Sequence, residues 1–279
     1  HFLDTARELV KIMDEPFFDL GVYLQWCVMK EARQRGVTVM LNGHGGDELL
    51  SGYRNCIPFY FADLISRGNF ATLRRQSHQL ATVAEMSTAE TLRSSLRIIA
   101  GSLLPDSWKE LLAYAGGSES SGYLRKDFIS RHRHHFHIDT AATVLPRFID
   151  RKAHVDIRLA PLPFWLHSED RISMHFSVES RSPLLDHRVV ECCCRMPLHL
   201  KFGNGTTKYA LRRAMQGTLP ERVRLRTDKK GFIAPTERWL MESKEFVLDI
   251  LDSSNLKAGA YLDRKKDRAA YEYAAAGKT

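Results

Sequence analysis

The chain has 279 residues, 44% hydrophobic and 27% charged, the balance of a chain that buries a core rather than one that stays disordered. It has no apolar run of roughly eighteen residues, and its first residues, HFLDTARELVKIMDEP, carry charge where a signal peptide needs an apolar centre, so a cytoplasmic location is expected and a membrane span is not. The formal charge of +8 comes from 41 basic residues scattered among 33 acidic ones, with no nucleic-acid-binding module in sight, and suits a surface that attracts a polyphosphate rather than a reader of nucleic acid.

The chain begins at His1, without a methionine and inside a helix-like pattern, and is expected to be a fragment of a longer polypeptide. Over 21–35 the apolar residues Val22, Tyr23, Trp26 and Cys27 recur a turn apart. Lys30, Arg33 and Arg35 follow where cations suit a helix C-terminus, and Gly36 supplies the stop. Residues 37–41, VTVML, are apolar or β-branched and follow a helix, the pattern of a central strand of a parallel sheet. The loop NGHGG at 42–46 comes next, and Asp47, Glu48, Leu49 and Leu50 open another helical pattern. Strand, glycine-rich loop and helix in this order place ligands beyond the carboxyl ends of strands in α/β sheets. Residues 56–115 read as several helices, with apolar stripes at Phe59, Phe61, Leu64 and Ile65 and at Leu92, Leu96 and Ile99. GGSESSGY at 116–123 reads as a loop, and the tract RHRHHFHIDT from Arg131 follows it. Residues 145–200 are helical in pattern with proline interruptions, and 206–215 and 235–251 are amphipathic helices flanking RTDKKGF. Of the five cysteines, three are consecutive at Cys192, Cys193 and Cys194, the wrong spacing for a disulfide framework or paired metal ligands, so buried reduced thiols are expected.

Three clusters can carry chemistry. In the first, Gly43, Gly45 and Gly46 remove side chains so that backbone N–H groups can approach a phosphate, and the following helix adds its positive end. Asp47 in the first turn can cap that helix or hold a Mg²⁺ that bridges phosphate oxygens. The second, DRISMHFSVESRSPLLDHR at 170–188, packs Asp170, Arg171, Glu179, Arg181 and Asp186 around apolar residues, which reads first as structural ion pairing. In the third, RTDKKGF, Lys229 and Lys230 precede Gly231 in a loop, where a lysine can reach an anionic ligand or lie on a solvated face. GGSESS at 116–121 imitates a phosphate loop but follows a helical pattern. The histidines His132, His134, His135 and His137 have loop spacing rather than two ligands per helix face, so a solvated segment is expected there, not a zinc site.

Taken together, NGHGGDELLSGY, DRISMHFSVESRSPLLDHRVVE, TKYALRRAM followed by LPERV, and KKGFIAPTERWL stand in an order and spacing that resembles the synthetase half of the glutamine-dependent asparagine synthetase family. The resemblance spans about residues 14 to 240. It implies an α/β fold with a doubly wound parallel sheet, of the adenine nucleotide alpha hydrolase kind, carrying a large helical portion, with this chain forming the C-terminal part and mostly helical. It implies an ATP-dependent, AMP-forming amide ligase with ATP and Mg²⁺ as cofactors, making asparagine from aspartate through a β-aspartyl-adenylate. The ammonia would come from glutamine in an N-terminal glutaminase domain. Carried over by position, Asn42 and Gly43 line the adenosine side, Gly45, Gly46 and Lys230 contact the nucleotide, Asp47 holds Mg²⁺, and Lys229 steadies the α-phosphate. Asp170, Glu179 and Arg181 support the site from behind. Members of the family place an acid where this chain has His44, as general base on the attacking nitrogen; histidine can accept that proton near neutral pH. Relatives that close β-lactam or macrolactam rings show that the nucleophile can change, so a specialised amide-forming cyclase and a catalytically silent binding subunit stand as alternatives. The family's Ser-Gly-Gly-x-Asp-Ser loop and the glutaminase domain are expected upstream of residue 1, and the oligomeric state, a homodimer included, is left open.

Overall fold

The computed structural model describes residues 2–17, 19–104, 124–132, 144–227, 231, 234–253 and 257–275. The chain divides into two units, one of residues 24–103 and 139–232, the other of residues 1–23, 104–138 and 233–279.

The first unit is built around the helix Cys56–Ser66, whose sequence CIPFYFADLIS is apolar on nearly every face and is accordingly buried. Ile57, Tyr60, Phe61 and Leu64 pack with Leu80, Ala84, Ile149 and Phe202, and the Tyr60 and Phe202 rings stack at 4.2 Å. The helices Phe70–Val83 and Thr88–Ser102 cover this core, and each starts at a side-chain cap. Asn69 accepts from the Thr72 N–H and Ser87 accepts from the Glu90 N–H, the latter with the Ser-x-x-Glu spacing of a capping box.

The helix Phe148–Arg158 has no side-chain cap of its own at Arg147. Asp63, 1% exposed, supplies it from the central helix by accepting the N–H groups of Phe148 and Ile149, each at 3.0 Å. Burial pushes the Asp63 carboxyl above its ordinary range, against the pull of those two N–H donors. Asp63→Ala should leave both donors buried without an acceptor and lower stability by about 2–4 kcal/mol. Urea denaturation of the variant checks this, and a loss below about 0.5 kcal/mol would show that the cap contributes nothing.

The sheet of this unit is two-stranded and parallel: β1 (Val39–Leu41) pairs with β2 (Glu179–Arg181), Val39 opposite Glu179 and Leu41 opposite Arg181. Val39 is 40% exposed and Leu41 70% exposed. The strand expected at 37–41 is therefore present but shorter, and its partner falls inside the stretch whose pattern reads as helical. Glu179-Ser180-Arg181 has little strand propensity of its own; backbone pairing with β1, extended by Glu179 N–H to Thr38 O and Asn42 N–H to Arg181 O, overrides it. Beyond β1 the short helix Gly46–Leu50 buries Leu49 and Leu50 against Cys193 of the helix His187–Arg195. The expectation of buried cysteines holds for Cys56 and Cys193, whereas Cys192 and Cys194 are exposed. Consecutive helical residues point in different directions, so only one of three neighbours faces the core.

In the second unit Leu9, Met13, Val22 and Ala234 are buried, and the rings of Tyr23 and Trp239 meet edge-on at 5.3 Å. Tyr271 of the helix Arg264–Ala275 donates to Leu240 O at 2.8 Å, fastening it to the helix Thr236–Glu242. Among the described residues no helix is long and apolar enough to cross a membrane.

Candidate functional site

The loop leaving β1 is braced by its first residue. Asn42 Oδ1 accepts from the His44 N–H at 3.1 Å and from Ser182 Oγ at 2.8 Å. Its Nδ2 donates to Ser180 Oγ at 2.9 Å and reaches Glu169 Oε1 at 3.5 Å. Every polar atom of the Asn42 side chain thus serves the fold of the loop. Gly45 then takes φ +86°, the left-handed conformation that glycine adopts without strain, and starts the helix Gly46–Leu50.

A methyl group on Gly45 would overlap Leu185, and one on Gly46 would press on Leu184, whereas Gly43 faces open space. Close packing against the PLLD segment at 183–186 therefore accounts for two of the glycines by itself, where the sequence suggested a single reason for all three. Of the loop glycines, Gly43 is the one with room beside its backbone.

Asp47, in the first turn of that helix, carries an ion pair: Lys208 Nζ lies 3.0 Å from its Oδ1, both side chains about a quarter exposed. Lys208 sits at the N-cap of the helix Tyr209–Ala214 with φ +54°, a conformation uncommon outside glycine. Its ammonium stands 3.8 Å from the point a Gly46 side chain would start, facing the loop. Gly52 forms the floor, since a methyl group there would overlap both the Asp47 carboxylate and the Lys208 Cε. The helix starts at Gly45 with no side-chain cap, and the Asp47 carboxylate in its first turn faces the Lys208 ammonium. No three His, Cys, Asp or Glu side chains converge on a metal-sized space among the described residues. A Mg²⁺ that keeps its waters and takes phosphate oxygens needs only one or two protein carboxylates, and Asp47 fits that demand as a single one.

Beside the loop, His44 Nε2 lies 3.6 Å from Glu169 Oε2. Glu169, 7% exposed on the helix Leu162–His175, accepts at Oε1 from Ser180 Oγ at 2.7 Å. Burial raises its pKa, but the donors His44, Ser180 and Asn42 outweigh burial and hold the carboxyl below the ordinary range. A depressed folded-state pKa contributes stability above the unfolded value that is lost as pH falls through the folded one, so protonating Glu169 in acid should loosen this end of the sheet.

The family model for asparagine synthase matches residues 1–279. The chain belongs to the asparagine synthase family. A Mycobacterium tuberculosis protein provisionally named an asparagine synthetase (glutamine-hydrolyzing) is 30% identical over 86% of this chain and 36% of its own length. Asparagine synthetase (glutamine-hydrolyzing) 1 of Bacillus subtilis is 28% identical over 94% of this chain and 41% of its own length. The chain thus spans well under half the length of these curated relatives. No solved structure matches it.

Within this asparagine synthase fold, Asn42, Gly43, His44, Gly45, Gly46 and Asp47 gather at the carboxyl end of β1. Lys229 and Lys230 lie outside the described residues, as do the GGSESS loop and the histidines of the tract other than His132, whose Nδ1 lies 3.0 Å from Phe128 O. Glu179 and Arg181, expected behind the site, are exposed and pair with each other at 2.8 Å, and Asp170 is exposed as well. Their neighbours Ser180 and Glu169 turn inward instead and bond to Asn42 and to each other. Tyr53 donates to Glu48 at 2.6 Å below Asp47, and burial with that hydrogen bond pushes its pKa far up. Glu169 had a legible signal, an acid in the middle of the apolar stripe Leu162, Trp165, Ile172, and so did Lys208, the one lysine of TKYALRRAM.

Proposed function

We propose that this chain is the C-terminal part of the synthetase domain of an ATP-dependent, AMP-forming amide ligase, with asparagine made from aspartate and glutamine-derived ammonia through a β-aspartyl-adenylate. The observation that carries the reading is the edge of the parallel sheet, where the imidazole of His44, the open backbone of Gly43 and the Asp47–Lys208 pair stand on one loop and its helix. Ligands of α/β sheets bind at such an edge. Adenylation needs positive charge toward the departing pyrophosphate, and a group placed to accept a proton from the amine that attacks the adenylate. Lys208 supplies the first from the described residues, and Lys229 and Lys230 are proposed to add to it. His44 supplies the second. Asp47 would hold Mg²⁺, which when bound neutralises charge on the phosphate oxygens.

The exposed side chains of Val39 and Leu41 share one face of β1 and support further chain packed over that face, as parallel sheets are covered on both; with it we propose further parallel strands in a doubly wound core. We place those strands, the Ser-Gly-Gly-x-Asp-Ser loop and the glutaminase domain on the rest of the polypeptide. Histidine in place of the family's acid at position 44 favours, as the second reading, an acceptor amine other than ammonia, as in a cyclase. ATP–pyrophosphate exchange by the full-length protein across carboxylic acids tests both. Exchange with aspartate followed by ammonia-dependent AMP release supports asparagine synthesis, exchange with another acid supports the second reading, and no exchange with any acid leaves a binding subunit.

A further inference from the structure

Among the described residues, three groups have no role in the proposed ligase chemistry. Lys201 is fully buried, with its pKa lowered by burial, near Asp150 and Cys194, but nothing shows a ligand reaching it. The guanidinium groups of Arg212 and Arg224 each donate to the other's backbone carbonyl, and their other donors go to Thr207 O and to the Glu221 carboxylate. The third, the carboxylate of Glu169, faces an imidazole that the ligase reading puts to use.

The hydrogen bonds beneath His44 run in one direction. Ser182 donates to Asn42, Asn42 donates to Ser180, and Ser180 donates to Glu169. Each hydroxyl has a single proton, so this sequence commits both serines and leaves Oε1 of Glu169 satisfied from behind. The other oxygen, Oε2, points at His44 Nε2 across 3.6 Å. The His44 backbone is fixed by the same network, through its N–H to Asn42 Oδ1. A buried anion aimed at one ring nitrogen selects the tautomer that carries its proton there, because the alternative sets a lone pair against a carboxylate. Among the described residues no hydrogen bond is made at Nδ1.

We propose that Glu169 is a positioning residue that holds His44 as the Nε2–H tautomer, so that Nδ1 is the atom that takes the proton from the attacking amine. The proposal rests on the ligase reading for the amine, but not for the tautomer. In the reaction the amine nitrogen forms its bond to the acyl carbon, the carbon–oxygen bond to AMP breaks, and the proton released from nitrogen goes to Nδ1. Glu169 faces the resulting imidazolium and stays ionised throughout. Ser180 and Asn42 hold Glu169 and do not themselves exchange protons.

The experiment uses the full-length protein, labelled with ¹⁵N-histidine, with the His44 resonances assigned by their loss in His44→Gln and read at a pH where the ring is neutral. The expected result is a wild-type His44 protonated on Nε2, and a Glu169→Gln variant in which that preference is lost or reversed. In the same variant, AMP-coupled amide release should fall about 10²-fold or more, as in other carboxylate-positioned imidazoles, while ATP–pyrophosphate exchange stays within about threefold. A wild-type His44 protonated on Nδ1 overturns the proposal without any variant being needed. Equal losses of exchange and amide release in Glu169→Gln overturn it too, by reducing Glu169 to a structural brace. If the wild-type protein shows no exchange with any acid, the ligase reading has failed while the tautomer measurement still decides the role of Glu169.

Discussion

Asp47→Ala in the full-length protein is expected to lower ATP–pyrophosphate exchange by about 10²–10³-fold while leaving thermal stability close to wild type. The two halves of that result have different causes. The carboxylate and the Lys208 ammonium are 3.0 Å apart but a quarter exposed, so water screens the pair and its contribution to folding is about 1 kcal/mol or less. The catalytic loss arises because the proposed function asks the same carboxylate to organise charge around the departing pyrophosphate, where no other acid stands on the loop except Glu48, which is buried and occupied by Tyr53. Lys208→Ala should weaken exchange less, by about 10-fold, since Lys229 and Lys230 are proposed to share its work. The double variant should lose less than the product of the single losses, because two groups in contact do not act independently. Measuring exchange and the melting temperature on all three variants checks this. Wild-type exchange in Asp47→Ala would remove the carboxylate from the mechanism, and a large fall in melting temperature would assign it to folding instead.

The parts of the fold that could be read from the sequence are those written in local chemistry. The helix Gly21–Gln34 and its stop at Gly36, with φ +76°, follow from the apolar spacing and from glycine's freedom to turn left-handed. The strand at Val39–Leu41 follows from its β-branched run, and the short helix after it from the glycines and acids that begin it. What could not be read depends on contacts distant in sequence. β2 has the sequence Glu-Ser-Arg, which carries no strand signal, and exists because β1 offers it a backbone partner some 140 positions earlier, the separation between Asn42 and Ser182 across the same seam. Likewise the space that makes glycine necessary at Gly45 is filled by Leu185, and that at Gly52 by Asp47 and Lys208, neither of which the loop's own sequence announces. The same distance hides the site's support. Asp170 and Glu179 look like the important acids because they are flanked by arginines, yet those flanking charges mark exposed positions, and it is Glu169, set in an apolar stripe, that turns inward. In an amphipathic helix an acid among its apolar residues is the informative one, since burying it demands donors and the fold has to bring them.

His44→Ala is expected to separate the two half-reactions, sparing ATP–pyrophosphate exchange to within about threefold and slowing amide formation by about 10²–10⁴-fold. Exchange reports activation of the carboxylate, in which no proton leaves a nucleophilic nitrogen, so a general base is idle during that step. Amide formation is different: the attacking amine becomes cationic as it bonds to carbon and must lose a proton before it can be expelled again. The imidazole stands on the loop directly after β1, held by the Asn42 brace and faced by Glu169, close to where the proposed adenylate would form. Alanine at this position keeps the backbone N–H that Asn42 accepts, so the loop should survive and the loss should fall on chemistry alone. His44→Glu, which puts at this position the acid that the family resemblance implies, is the stringent companion. It sets two carboxyl groups against each other, and like charges in a buried site force one of them to take up a proton. Recovery of ammonia-dependent turnover in that variant would identify position 44 as the base whatever its side chain. Equal loss of both half-reactions in His44→Ala would instead place the imidazole in nucleotide binding.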